Sequence, residues 1–567
     1  MIHKHIGALL ICMFAMNTMY AQIEDAGTEL FAPFKAKLAE SKKFLADPIL
    51  PKVENNTTKD VKYTVPTHLV PVDYPPPVIR PLAMKADKLP QSYSFYAKAG
   101  IGYPLSPLLE ASYHSKNWKN LKFGVTAKHH SIRGLRENQN FGQTHLDVGA
   151  TYYTKKALAI GGSVGFDLNA NKFYGYLSDS LQETTAAELG LSEDSLKQQF
   201  IHIEANVGLF NHTINRGDFN YAGNVGLYSY NDRYGASEFS LTPEFGIEKW
   251  FGNRQKHPLR VKVGMNLTTF NQDTVNKSRV LVYFKPNFSF TAGSFKARLG
   301  VDLGLSDNKF YFFPDAELSF GIAKGAFTIY AGGVGQIQQN NFRSFTRSNR
   351  FLISNPSGIL HTRNLDLFGG LRGTIKNINY DFRAGYSIIQ NLPIFMNDST
   401  YNFTRFDVDY DTAGVVFVKG ALDFRLVKNL VLGADLTFNL YSGLRKYEKA
   451  FHLPALESNI YLTYDFYFDA KKKKRGRKKS KGGLKESNHL SLKAEFFINT
   501  GVPYLDENNQ TQVLKGLFDF SFGATYHFTK NIGLFVDVNN IINNKNQRWY
   551  RYPQVGFNVM GGAVVKF

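Results

Sequence analysis

The most constraining feature of this sequence is a period of two that runs on for ten residues or more. In "GLFDFSFGATYHF", residues 516–528, Phe518, Phe520, Phe522, Ala524, Tyr526 and Phe528 fall on one side of an extended chain. Asp519, Ser521, Gly523, Thr525 and His527 fall on the other. In "HLSLKAEFFIN", Leu490, Leu492, Ala494, Phe496 and Ile498 oppose Ser491, Lys493, Glu495, Phe497 and Asn499. In "FIHIEANVGL", Ile201, Ile203, Ala205, Val207 and Leu209 oppose His202, Glu204, Asn206 and Gly208. Successive side chains of a strand point to opposite faces, so each stretch has one apolar face and one polar face.

Strands of soluble sandwiches run about five or six residues, whereas a strand crossing a bilayer needs roughly 9–11. Repeated stretches of that greater length predict an all-β chain, a transmembrane antiparallel β-barrel closed so that every backbone group in the hydrocarbon is paired. About 22 strands are expected, the first at 93–102 and the last at 556–567. With the N-terminus on the periplasmic side, the inner turns are short, such as "TKK", "GSF", "KGA", "KNI", "VKN" and "TKN". The outer connections include "LSDSLQETTAAELGLSEDSLKQQ" and "NFRSFTRSNRFLISNPSGILHTRN", giving the short–long alternation of outer-membrane barrels. A barrel this wide has a lumen that wall side chains do not fill. Aromatics at 14% and 48 glycines suit such a wall, and "AGGVGQ" and "GGSVGF" fit close strand packing or mark weak strands.

The N-terminus "MIHKHIGALLICMFAMNTMYAQ" has a basic start, an apolar run too short to span a bilayer as a helix, and Ala21 before Gln22. It is expected to be a secretory signal peptide over 1–21. Cys12 lies within it, so the exported chain is expected to hold no disulfide, thiolate metal site or cysteine nucleophile. Residues 22–92 form a Pro-rich segment expected in the periplasm, with a short amphipathic helix over 29–45. The barrel is expected to occupy 93–567.

The C-terminal stretch "NIGLFVDVNNIINNKNQRWYRYPQVGFNVMGGAVVKF" resembles the last two strands of TonB-dependent receptors, particularly those of Bacteroidetes. The resemblance rests on "VNNIIN" around Asn540, on Tyr552-Pro553 and on Gly556 opening the last strand. It implies a 22-strand outer-membrane barrel of a Gram-negative cell, working in solute passage. It also implies that Phe557, Val559, Val565 and Phe567 belong to the signal read by the barrel-assembly machinery. Phe557 stands where the family often has Arg. At the front the resemblance fails: residues 22–92 are too short and irregular for the family's α/β plug, and "VKYTV" at 61–65 is a poor TonB box. A plugless barrel is therefore expected, with 22–92 either entering the lumen or binding a periplasmic partner.

Net charge is +20, of which +9 comes from "KKKKRGRKKSK": Lys471, Lys472, Lys473, Lys474, Arg475, Arg477, Lys478, Lys479 and Lys481. The alternation places the loop 471–483 in the periplasm, so nucleic acid is not the expected partner. The run reads either as an electrostatic contact with anionic lipid, wall carboxylates or an acidic partner, or as a solvated loop. His129-His130 face opposite ways and do not share a metal. Inward-facing His202, Glu204, Lys493, Glu495, Asp519 and His527 form a polar wall. "KFYGY" and "KFYFF" at outer strand ends read as the interfacial girdle, or else as a ligand-stacking platform. No phosphate-binding glycine loop or metal motif is present, so no cofactor and no enzymatic activity are expected. Partners expected are outer-membrane lipid, the assembly machinery, and a periplasmic or surface lipoprotein. A scaffold barrel that docks such partners is the alternative to transport.

Overall fold

The computed structural model describes residues 93–567 apart from 117–118, 177–185, 187, 189, 214–216, 253–255, 274, 428 and 469–487. The expected signal peptide, the Pro-rich segment 22–92 and the basic loop 471–483 lie outside the described residues. Twenty-two strands, from Phe95–Tyr103 to Asn558–Lys566, pair antiparallel with their chain neighbours. The last strand pairs with the first, Val564 beside Lys98 and Gly561 beside Ile101, so the sheet closes on itself with no edge. Two small hairpins, Pro503–Leu505 with Thr511–Val513 and Gln547–Trp549 with Tyr552–Pro553, stand outside the barrel ladder in two outer connections.

Each expected strand is present. The largest differences lie at outer ends: Ile378–Asp398 and Arg405–Val427 run to 21 and 23 residues, well past the expected 378–391 and 413–427. Phe406, Val408 and Tyr410 alternate with Asp407, Asp409 and Asp411 there, a strand pattern set beside the turn-like "NDSTYN". A register shift between Ile389 and Leu392, with Asn391 at φ 55°, bends this hairpin where it leaves the wall.

The period of two sorts the wall as expected. Ile203, Val207 and Leu209 are exposed on the outer face while His202 is buried on the inner one. In the last strand Val559, Ala563 and Val565 lie opposite Tyr103, Ala99 and Ala97 of the first, along the apolar exterior, and Phe557 and Phe567 are exposed.

Glycines on the inner face make room for a repeated arrangement. Tyr283 lies across Gly264 and donates to Glu244, on the strand beyond. Tyr461 lies across Gly433 and reaches Asp423 Oδ1 at 2.7 Å, and Tyr330 lies across Gly370 and donates to Asp381. A Cβ on Gly370 would stand 2.4 Å from both the Phe382 carbonyl oxygen and the Tyr330 ring. In "AGGVGQ", Gly332 is confined in the same way, 2.5 Å from the Ala316 carbonyl oxygen, while Gly161 and Gly162 of "GGSVGF" meet nothing closer than 3.3 Å. Gly165 of the second stretch is also confined, 2.9 Å from Glu204 Cγ, so both stretches pack closely at an inward glycine.

Candidate functional site

The site is the outer mouth, and it is built by the connection between Phe327–Gln338 and Thr362–Ile375. Its sequence "NNFRSFTRSN" spaces Phe342 and Phe345 three apart, and Arg343 and Arg347 four apart, which gives one short helix an apolar face and a cationic face. The helix covers Phe342–Ser348. Asn341 caps it: its side-chain oxygen accepts from Ser344 N at 2.7 Å, and Ser344 Oγ accepts from Asn341 N at 2.9 Å.

The apolar face is fully buried. Phe342 packs on Phe200, Tyr230 and Phe270, and Phe345 meets Phe395 edge-on. At the helix start, Phe342 N donates to Glu238 Oε2 at 2.7 Å and Arg343 N donates to Oε1 at 3.3 Å. Glu238 is 1% exposed, accepts from Tyr228 OH at 2.9 Å and has Arg279 Nη2 at 3.8 Å. A carboxylate at the positive end of a helix is favourable, and the two backbone N–H groups, Tyr228 and Arg279 offset part of the cost of burying it. On the cationic face Arg343 reaches Glu204 at 3.4 Å and Arg347 reaches Asp167 at 3.8 Å. Asp167 also holds His145 Nδ1 at 2.6 Å and His202 Nδ1 at 2.9 Å.

Other outer connections close over the helix. Phe406 N donates to Phe351 O at 2.9 Å and Ile353 N to Phe406 O at 2.8 Å, joining this segment to the bent hairpin as a parallel bridge. Tyr552 stacks on Phe351 at 3.5 Å between ring centres, and Tyr174 OH and Gln139 Nε2 donate to Pro553 O at 3.0 and 2.9 Å. Arg405 Nη2 donates to Ser195 O at 3.2 Å. In barrel order, the wall strands beside Ser195 and Arg405 stand about half-way round the ring from one another. A packed layer therefore ties opposite walls together across the outer mouth.

Two loop histidines sit in this layer as neutral groups. His452 Nδ1 donates to Phe395 O at 2.9 Å, and the ring packs against Phe406 and Trp549. Burial pushes its pKa down to about 3. His361 Nδ1 accepts from Asn340 N at 3.3 Å; burial, with Arg279 nearby, pushes it down to about 4.

Of the residues singled out in the sequence, His202 and Glu204 come together beneath the helix. Lys493 pairs with Glu495 at 2.8 Å, Asp519 accepts from Ser521 at 2.6 Å, and His527 stacks on His489. His129 and His130 point apart, to Thr144 and Ser106. Phe310 and Phe312 are 67% and 63% exposed on the exterior, where a girdle would need them. The girdle reading fails for "KFYGY": Phe173 and Tyr176 are buried in the mouth layer, packed among aromatics of other outer connections. Glu238, Arg343 and Arg347 were not among the expected site residues. The signal that could have found the two arginines was helical spacing inside a connection read only as a long loop.

No protein-family model matches the sequence, and no curated protein matches it. Solved structures do match. The pyoverdine outer membrane receptor FpvA of Pseudomonas aeruginosa aligns with a TM-score of 0.60 at 10% identity, over 85% of this chain and 79% of that one. The ferric enterobactin receptor PfeA of Pseudomonas aeruginosa gives 0.61 at 10%, over 85% and 82%. The siderophore receptor PirA of Acinetobacter baumannii gives 0.61 at 9%, over 83% and 80%. The chain thus has the 22-strand barrel fold of outer-membrane siderophore receptors.

Proposed function

We propose that this protein is an outer-membrane barrel that passes a solute across the membrane, with the helix-bearing segment 339–361 closing its outer mouth. The observation that carries the reading is the anchoring of that segment: the helix start rests on buried Glu238, and its two arginines face Glu204 and Asp167 on the inner wall. The fold it shares with receptors for pyoverdine and enterobactin makes siderophore-sized solutes the first class to test. The chemistry proposed for the site is binding and passage rather than catalysis.

In this reading Phe557, Val559, Val565 and Phe567 serve as the assembly signal. The run Lys471–Lys481 touches anionic groups on the periplasmic side, and 22–92 is a periplasmic segment that does not form the family's plug. Deleting 471–483 is expected to leave assembly intact and to weaken salt-sensitive recovery of a periplasmic partner.

Planar-bilayer conductance tests the mouth. The wild-type protein is expected to be nearly silent, and E238A/F342A/R343A to show large, frequent openings. Wild-type channels already wide open, or a silent triple variant that remains folded, would overturn the closure. A silent barrel that copurifies with a surface lipoprotein would favour the scaffold alternative.

A further inference from the structure

The two ends of the barrel differ in charge, and the short-turn end carries a pattern that the closed mouth does not use. Lys119, Lys155, Lys156, Lys256, Lys376 and Lys530 stand in five different inner connections, and all six are exposed. None has a carboxylate within 4.0 Å among the described residues. Among the described positions of all the inner connections, Asp218, after the sixth barrel strand, is the one acidic residue. The outer connections are mixed, with Glu193, Asp307, Glu448 and Glu507 beside their lysines and arginines.

Position sharpens the pattern. Exposed exterior side chains stand a few residues from these lysines: Tyr152 before Lys155, Phe251 before Lys256, Ile375 before Lys376 and Phe528 before Lys530. A lysine there lays its aliphatic stem along the apolar wall and carries its ammonium to the level of lipid headgroups. The five connections are also spread round the ring, following the second, fourth, eighth, fourteenth and twentieth barrel strands. A docked protein would need its charges on one arc. A bilayer surrounds the barrel and meets all of them.

We propose that the inner end of the barrel is a lysine collar that binds the phosphate groups of acidic phospholipids in the facing leaflet. The inference rests on the exterior being embedded in a bilayer, as in the proposed function, and is independent of whether the mouth opens. Near an anionic surface each lysine contributes roughly fivefold in affinity before screening, so the joint effect falls with salt.

The test uses the full-length protein with 471–481 replaced in every arm by a neutral Gly/Ser run of equal length. Purified in detergent, it is titrated with phosphatidylglycerol or with phosphatidylcholine of the same acyl chains, and retained lipid is counted by native mass spectrometry. Phosphatidylglycerol is expected to be retained at least about tenfold better. K119Q/K155Q/K156Q/K376Q/K530Q, which leaves Lys256 in place, is expected to remove most of that preference, and K449Q/K515Q/K545Q at the outer end to keep it. If the fivefold variant does not fold, K155Q/K156Q and K376Q/K530Q, on separate arcs, are each expected to lower the preference in part. Equal retention of the two lipids, a preference unchanged in the collar variants, or its loss in the outer-end variant would overturn the collar. So would loss of cosedimentation with purified peptidoglycan in a collar variant that keeps its lipid preference.

Discussion

Some buried polar side chains in the mouth layer depend on a partner that changing one atom or one proton would remove. His452 shows this most directly. Its Nδ1–H is committed to the Phe395 carbonyl, and its Nε2 faces Tyr550 N–H at 3.4 Å, so a second proton would put two N–H groups head to head. The ring packs between Phe406 and Trp549, and Arg548 donates to the His452 carbonyl at 2.7 Å, adding a cation beside it. A folded-state pKa near 3 against an ordinary 6.5 means that, between these values, the opened state binds a proton that the closed state does not. Closure is therefore at full strength above pH 6.5 and is lost progressively as pH falls toward 3; His361, lowered to about 4, acts in the same direction. Protection factors of 443–455 and 545–553, which correct exchange for its intrinsic slowing at low pH, are expected to fall between pH 7 and pH 4.5, and H452Q to flatten that dependence. A pH-independent protection factor would contradict the assignment. The glycines offer a second residue-scale check. Gly369 and Gly370 are chain neighbours, yet a Cβ on Gly369 meets nothing nearer than 3.8 Å, while one on Gly370 meets backbone at 2.4 Å. G370V is expected to cost about 1–3 kcal/mol and to lower the temperature at which the folded barrel loses its fast gel mobility. G369V is expected to leave that temperature unchanged.

At the scale of elements, the helix Phe342–Ser348 holds the mouth by its apolar face more than by its charges. F342A removes a ring that is fully buried against three aromatic side chains and is expected to weaken closure by about 3–5 kcal/mol, enough to raise single-channel open probability sharply. R347A removes a partly exposed pair at 3.8 Å and is expected to do much less. What the sequence disclosed divides along the same line. Wall strands were legible because each carries its own evidence of burial in its alternation, as Phe518 to Phe528 do without reference to any neighbour. The outer reach of Arg405–Val427 was half legible: Phe406 and Val408 alternate with Asp407 and Asp409, but their apolar face is buried by a segment some sixty residues earlier rather than by lipid. The mouth layer was not legible as a site. Its residues come from connections far apart in the chain, and a phenylalanine such as Phe173 looks the same in a lipid-facing girdle and in a packed layer until the path of the next connection is known.

At the scale of the whole molecule, wall and mouth are separable, and that fixes what removing the mouth segment should do. The barrel closes through the pairing of its first and last strands and through a continuous ladder that includes Gln338 opposite Thr362, the last paired residues before the chain leaves the wall. Those two residues are already cross-strand neighbours, so a four-residue Gly/Ser turn in place of 339–361 bridges them without altering any wall register. The wall keeps its backbone hydrogen bonds and its apolar exterior, the terms that hold a barrel in lipid. The deletion exposes Phe200, Tyr230, Phe270, Phe395 and Phe406, which pack on the removed segment and would face water in the opened mouth. It also leaves Glu238 beside Arg279 with its two backbone donors gone. The expected result is a chain that still assembles and still resists heat in its folded form, at a somewhat lower temperature than the intact protein, and that conducts ions steadily where the intact protein is nearly silent. An assembled deletion variant that stays silent would mean that something other than 339–361 blocks the lumen, and the closure assigned to this segment would have to be given up.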